Sequence, residues 1–197
     1  MIPPSLRRGP AALALCAALL LTSCATAPPP TSETSTVPSA DPTEVDPDAE
    51  VRYLDGDVVT PCFRYRAPDP SWTLVEGSAG CSTGVGPGGD MLSTVQVRAV
   101  TVAGTLEELA GMVAAQDPDG TVEPVRLAGR DVARAITAWE GTDLSVATYV
   151  IAYPDAGLTG GGDPISAVLV TALSSAESEA LVEEVVASLT RPDGEPL

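Results

Sequence analysis

Four thiols, Cys16, Cys24, Cys62 and Cys81, are the side chains of this sequence best suited to covalent chemistry, as thioether or disulfide. The usual catalytic groups are missing around them. There is no histidine, so Ser-His-Asp and Cys-His arrangements are excluded. There is no lysine, which removes Ser-x-x-Lys acyl enzymes and the phosphate-binding P-loop. Gly-x-Ser-x-Gly does not occur. Carboxylates are plentiful, and an enzyme working with a carboxylate pair, such as a glycoside hydrolase, is a third-ranked reading for which no pair stands out. Asp117-x-Asp119-Gly120-x-x-Glu123 resembles half a calcium loop but lacks the remaining ligand positions, so it reads as a helix stop. Asp55-Gly56-Asp57 reads as a turn. The glycines of 84–89 and 160–162 offer backbone N–H groups to an anion but read better as flexible loops. Arg64 with Arg66, and Arg130 with Arg134, share strand parity; surface ion pairs account for them more simply than an anion site.

The position of Cys24 singles it out. Arg7 and Arg8 precede an apolar run from Ala11 to Leu21, which is too short for a permanent membrane span. Residues 1–23 therefore read as a targeting signal and leave the fold argument. Leu21-Thr22-Ser23-Cys24 resembles a bacterial lipobox, in which diacylglycerol is joined to the cysteine before cleavage. The alternatives are an ordinary cleaved signal or an uncleaved anchor. Each buried methylene contributes about 0.8 kcal/mol, and two acyl chains hold a protein on a membrane where one binds reversibly. Cys16 lies inside the signal and leaves with it.

Residues 24–50 read as the lipidated cysteine and a linker. The segment is rich in Pro, Ser and Thr and poor in larger aliphatics, so it buries too little to offset ordering entropy. At about 3.1 Å per residue it reaches about 80 Å at most. Its composition also suits O-glycosylation. Past the signal no apolar run is long enough to cross a bilayer, so the expected site is the outer face of the cell membrane, anchored by lipid.

The charge balance is strongly acidic: 27 Asp and Glu against 10 basic residues, a net −17 that grows when Arg7 and Arg8 depart. Such a surface repels nucleic acid, which needs cationic groups against phosphate. It also repels anionic headgroups and prefers neutral or cationic partners.

Export bears on Cys62 and Cys81. An oxidising compartment and the lack of imidazole for a metal set favour a disulfide; two free thiols are the alternative. The bond would staple the Gly-rich stretch 77–90 to a strand starting near Cys62. Zinc is disfavoured on the same grounds, and no catalytic, cofactor-binding or metal-ligating residue is nominated.

The elements are legible downstream. Pro70 to Leu74 ends one strand and opens another at Trp72, which reads as a core plug. Residues 92–102 alternate as a strand. Thr105 and Glu108 form a capping-box pattern before a helical stripe running to about Gln116. Strands are expected over 122–127, 131–139, 144–153 and 165–173, joined by short turns as an antiparallel meander. The last two are apolar on both faces and call for cover on both sides. Ser174 and Glu177 suggest a second capping box, followed by the stripe Leu181, Val182, Val185, Val186 and Leu189 ending before Arg191-Pro192. The expected fold class is α+β: a three-layer α/β/α sandwich about a mainly antiparallel sheet over residues 51–191, with 192–197 as a flexible tail.

Several of these features occur together in one family. The exported N-terminus, Pro70-x-Trp72, Thr105-Leu106-Glu107-Glu108-Leu109, Arg126-Leu127-Ala128-Gly129-Arg130-Asp131-Val132-Ala133 and a terminal Val186-Ala187-Ser188-Leu189 make the chain similar to actinobacterial Lpq-type lipoproteins, whose domain resembles the PsbP/Mog sandwich. The likeness implies a binding or assembly factor without a catalytic motif, and the cysteine pair is no part of it. A non-catalytic module that binds a protein or envelope component is therefore expected. The alternative is a carrier of an apolar small molecule or lipid, held between sheet and helix.

Overall fold

The computed structural model describes residues 50–88, 93–158 and 164–197, with backbone alone at 155–158 and 164. The first three strands are short: β1 (Arg52–Leu54), β2 (Asp57–Val59) and β3 (Arg64–Arg66). They pair antiparallel in the order β1-β2-β3 as a small sheet of their own, which the sequence reading did not separate. Asp55 (φ 51°) and Gly56 (φ 87°) close the first hairpin, as the Asp-Gly pair demands of a tight turn between right-twisted strands.

Seven further strands build the main sheet: β4 (Thr73–Leu74), β5 (Ser82–Gly86), β6 (Val95–Val100), β7 (Thr121–Leu127), β8 (Arg130–Ala138), β9 (Ser145–Leu158) and β10 (Pro164–Leu173). Their order is β4-β5-β6-β10-β9-β8-β7. Each described pair is antiparallel, so the expected meander β7 to β10 is present. The crossover from β6 to β7 runs through helix α1 (Leu106–Ala114), and helix α2 (Ala176–Ser188) follows β10. The described residues are thus α+β, with antiparallel sheets and two helices.

Pleating sorts the side chains of β10. Ala167 and Leu169 join α1 residues Leu109, Ala110 and Ala114 in one apolar cluster. Val168 and Val170, of opposite parity, join Val182, Val185 and Val186 of α2 in another, together with Val58 and Tyr65 of the small sheet and Trp72. The two-faced apolar strands are therefore covered on both sides, and Trp72 is a core residue.

The caps follow sequence at one helix and depart from it at the other. At α1, Thr105 Oγ1 accepts from the Glu108 N–H at 3.2 Å, and the Thr105 N–H donates to Glu108 Oε2 at 2.7 Å, completing the capping box. At α2 the expected Ser174–Glu177 box is not formed. The Ser174 N–H donates to the Ser145 carbonyl at 2.8 Å and so still belongs to the sheet. Ser175 becomes the cap instead, accepting from the Ser178 N–H at 3.1 Å.

α2 stops at Ser188, ahead of the proline. Leu189 turns to extended backbone with its side chain fully buried, and Thr190 exchanges two 2.9 Å backbone bonds with Arg64 on β3. The last residues fold back: the Arg191 N–H donates to the Glu195 carbonyl at 2.8 Å, and Leu197 reaches Leu189 at 3.3 Å.

Candidate functional site

α1 is too short for the face it covers. Nine residues rise about 14 Å, whereas ten-residue strands run about 33 Å. Where the helix lies, the sheet presents Ala133, Ala135, Ala167 and Val150, small enough for close approach. Beyond its C-terminal end the same face continues with larger and more polar side chains. Register sets them in two rows. Gln96, Thr171, Thr148 and Ala135 are direct neighbours across β6, β10, β9 and β8. Leu173, Val146 and Thr137 form the next row.

The result is an open groove of about 360 Å³, lined by Val113 of α1, Gln116 of the turn after it, Trp139 and Glu140 besides the sheet residues. That is within the range of small ligand sites. On the floor, the hydroxyls of Thr148 and Thr171 lie 3.1 Å apart in one hydrogen bond.

Two local structures hold the walls. The half-buried Trp139 opens the turn after β8 with its N–H donating to the Leu144 carbonyl at 2.8 Å. Its own carbonyl accepts from the Thr142 N–H at 3.0 Å and from the Thr142 hydroxyl at 2.8 Å. Asp117 ties the turn after α1 to the end of β8. Its Oδ2 accepts from the Ala138 N–H and its Oδ1 from the Asp119 N–H at 3.0 Å. The bond from Ala138, then that from Asp119, hold this carboxyl below its ordinary range, so it stays ionised at neutral pH. A side chain at Gly120 would run into the Ala114 carbonyl, which fixes glycine in the same turn.

The residues singled out by sequence fall elsewhere. Cys24 lies outside the described residues. Cys62 and Cys81 form a disulfide with Cα atoms 5.4 Å apart, joining the loop before β3 to the start of β5. Asp117 spends both oxygens on backbone N–H groups, and among the described residues no three His, Cys, Asp or Glu side chains gather as a metal site.

The arginine pairs are not brought together as anion clamps. Arg134 contacts Glu123 at 2.6 Å and Glu179 at 3.1 Å, with its guanidinium 5.9 Å from the Tyr149 ring centre. Arg130 donates to the Leu197 carbonyl. Arg66 pairs with Asp57 at 3.0 Å in the open. Gly84 and Gly86 are strand residues, not loop. A Cβ at Gly84 would crowd Val75 at 3.2 Å and one at Gly86 would meet Thr94 at 2.7 Å, so these glycines admit close neighbours. Gly89 and residues 160–162 lie outside the described residues.

Trp139, Glu140 and Gln96 belong to no catalytic or binding motif in the sequence. A signal did exist. Trp139 shares parity with Ala133 and Ala135 and directly follows β8, which puts it on the helix-bearing face past the reach of a short helix.

No protein-family model matches the chain, and no curated protein matches it. Among solved structures, a crystal structure from Bacteroides thetaiotaomicron VPI-5482 is similar at 17% identity and a TM-score of 0.42, covering 70% of this chain and 49% of that one. The chain thus spans about half the length of that protein, and a likeness of this degree carries no argument about function.

Proposed function

We propose that this protein is a non-catalytic binding module, held at the outer face of the cell membrane by lipid on Cys24, that takes a protein or envelope component into the groove at the end of α1. The domain reads as a three-layer α/β/α sandwich of the PsbP/Mog type, in line with the likeness to Lpq-type lipoproteins. Anchor and address rest on Leu21-Thr22-Ser23-Cys24 and the run before it. The linker supplies reach.

The observation that carries the binding reading is the groove itself: a concave site with one aromatic side chain and a floor of sheet residues that mixes Gln96, Thr148 and Thr171 with Val146 and Leu173. Among its described lining residues Glu140 is the only acid, so the paired carboxylates of a glycosidase are not supplied there. A carrier of an apolar molecule calls for an enclosed apolar chamber, whereas this groove is open and has Thr148, Thr171 and Gln96 among its lining.

Site-specific photocross-linking in the full chain tests the reading. A benzophenone residue at Gln96 is expected to yield a discrete adduct in intact cells, and the same group at Glu183, on the exposed side of α2, is expected to yield none. Equal labelling at both positions, or none at either, would overturn it.

A further inference from the structure

We infer that the groove receives a basic polypeptide segment, an extended stretch of a partner protein whose arginine or lysine is taken by Trp139 and Glu140. The inference rests on the binding-module reading and names the chemistry of the partner.

Charge complementarity selects the occupant. No arginine is among the described residues that line the groove, and the charged one is Glu140. Asp117, ionised at neutral pH, is not among the described lining residues but accepts from the N–H of Ala138, which is. The last turn of α1 carries no basic residue, and Val113 from that turn lines the groove. Among the described lining residues one negative charge, Glu140, thus stands next to one indole, Trp139, with no cation to offset it. The net −17 of the chain steers cations toward it and anions away.

The groove also has the shape of such a ligand. An arginine or lysine carries an aliphatic stem under a charged head. Val113, Leu173 and the Trp139 face suit the stem, and Glu140 with the indole suits the head by ion pairing and cation–π contact. Along the floor, Gln96 and Thr171 offer amide and hydroxyl groups to the polar backbone of an extended segment. An anionic ligand finds no cation there, and a purely apolar one leaves the threonine and glutamine groups to be desolvated.

The test is calorimetric titration of the full chain, in a non-ionic detergent at low salt, with an eight-residue peptide alternating Arg and Thr. Matched Gln-Thr and Glu-Thr peptides are the controls. The Arg-Thr peptide is expected to bind, and the other two at least tenfold more weakly. Trp139→Ala is expected to weaken it about tenfold, and Glu140→Gln about two- to fivefold. The double change Glu183→Gln/Glu184→Gln removes more charge from the exposed side of α2 and is expected to change binding less than twofold. Should Trp139→Ala fail to fold, Glu140→Gln and the α2 variant still decide.

Equal binding of the Gln-Thr peptide, a preference for Glu-Thr, or an equal loss in the α2 variant would overturn the inference, the last by exposing diffuse attraction to an acidic surface. An adduct at Gln96 in cells without Arg-Thr binding would sink the basic-partner inference alone. Failure of the cross-link sinks the binding module itself.

Discussion

Removing the Cys62–Cys81 bond offers the sharpest test of how the two sheets are held together. The cysteines are 19 residues apart, and in the chain-entropy model closing a loop of that length contributes about 3 kcal/mol. The loop it closes contains β3, Trp72 and β4, so the bond ties the small sheet to the edge of the large one. Other ties remain after reduction. The Tyr153 hydroxyl donates to the Cys62 carbonyl at 3.0 Å, and Arg64 keeps its two backbone bonds to Thr190. The native state should therefore survive while the unfolded ensemble expands. Thermal melts followed by circular dichroism, of oxidised protein, of reduced protein and of Cys62→Ala/Cys81→Ala, should show a loss of about 3 kcal/mol, a drop of roughly 6–12 °C for a domain of this size. Cys62 is 1% exposed, so the alanine variant should fall slightly lower than the reduced protein through lost packing. A drop under about 2 °C in both would refute the claim that the bond constrains the chain. Alkylation of either thiol in folded, unreduced protein would refute the bond itself.

Ala128 sits at φ 49° in the turn between β7 and β8, where a Cβ is strained, so Ala128→Gly or Ala128→Asn should raise stability by about 0.5–1 kcal/mol in urea denaturation. The Asp117 carboxyl is held below its ordinary value by the bonds from Ala138 and Asp119, so its contribution is present above about pH 4 and fades as pH falls through the lowered value. The stability gap between wild type and Asp117→Asn should therefore be larger at pH 7 than at pH 3. Tyr65 shares a buried 3.0 Å hydrogen bond with Thr83, and Tyr65→Phe should cost about 1 kcal/mol, with the double variant Tyr65→Phe/Thr83→Val losing less than the two single changes added together. Burial pushes the Tyr65 phenol far above its ordinary 10.0, so stability should fall as pH rises beyond about 10, where the unfolded phenol ionises first, and fall less steeply in Tyr65→Phe.

What the sequence makes legible is local. Thr105-x-x-Glu108 announces its own cap, because both partners lie within one turn. The two-sided apolar character of β9 and β10 announces cover on both faces, and the clusters on either side of β10 supply it. Choices that depend on distant partners do not show. Ser174 and Ser175 are equivalent caps by type; the bond from Ser174 to Ser145 in the neighbouring strand decides between them. β6 pairs with β10, far away in sequence, and no local pattern encodes that neighbour. The short strands of the small sheet are three residues each, below the length at which alternation is diagnostic. The groove is invisible for a different reason: it is made by where α1 stops. Only the change from Ala133 and Ala135 to Thr137 on β8, and then to Trp139 just past its end, hints at it.

The account stands on Cys24 carrying lipid, because that address makes a tethered binding domain sensible and the disulfide durable. Intact-mass analysis of the protein extracted from membranes of the cell that makes it measures this directly. The predicted species begins at Cys24 and bears at least a diacylglycerol on its sulfur. A chain that retains residues 1–23, or one that begins at Cys24 with an unmodified thiol, would contradict it.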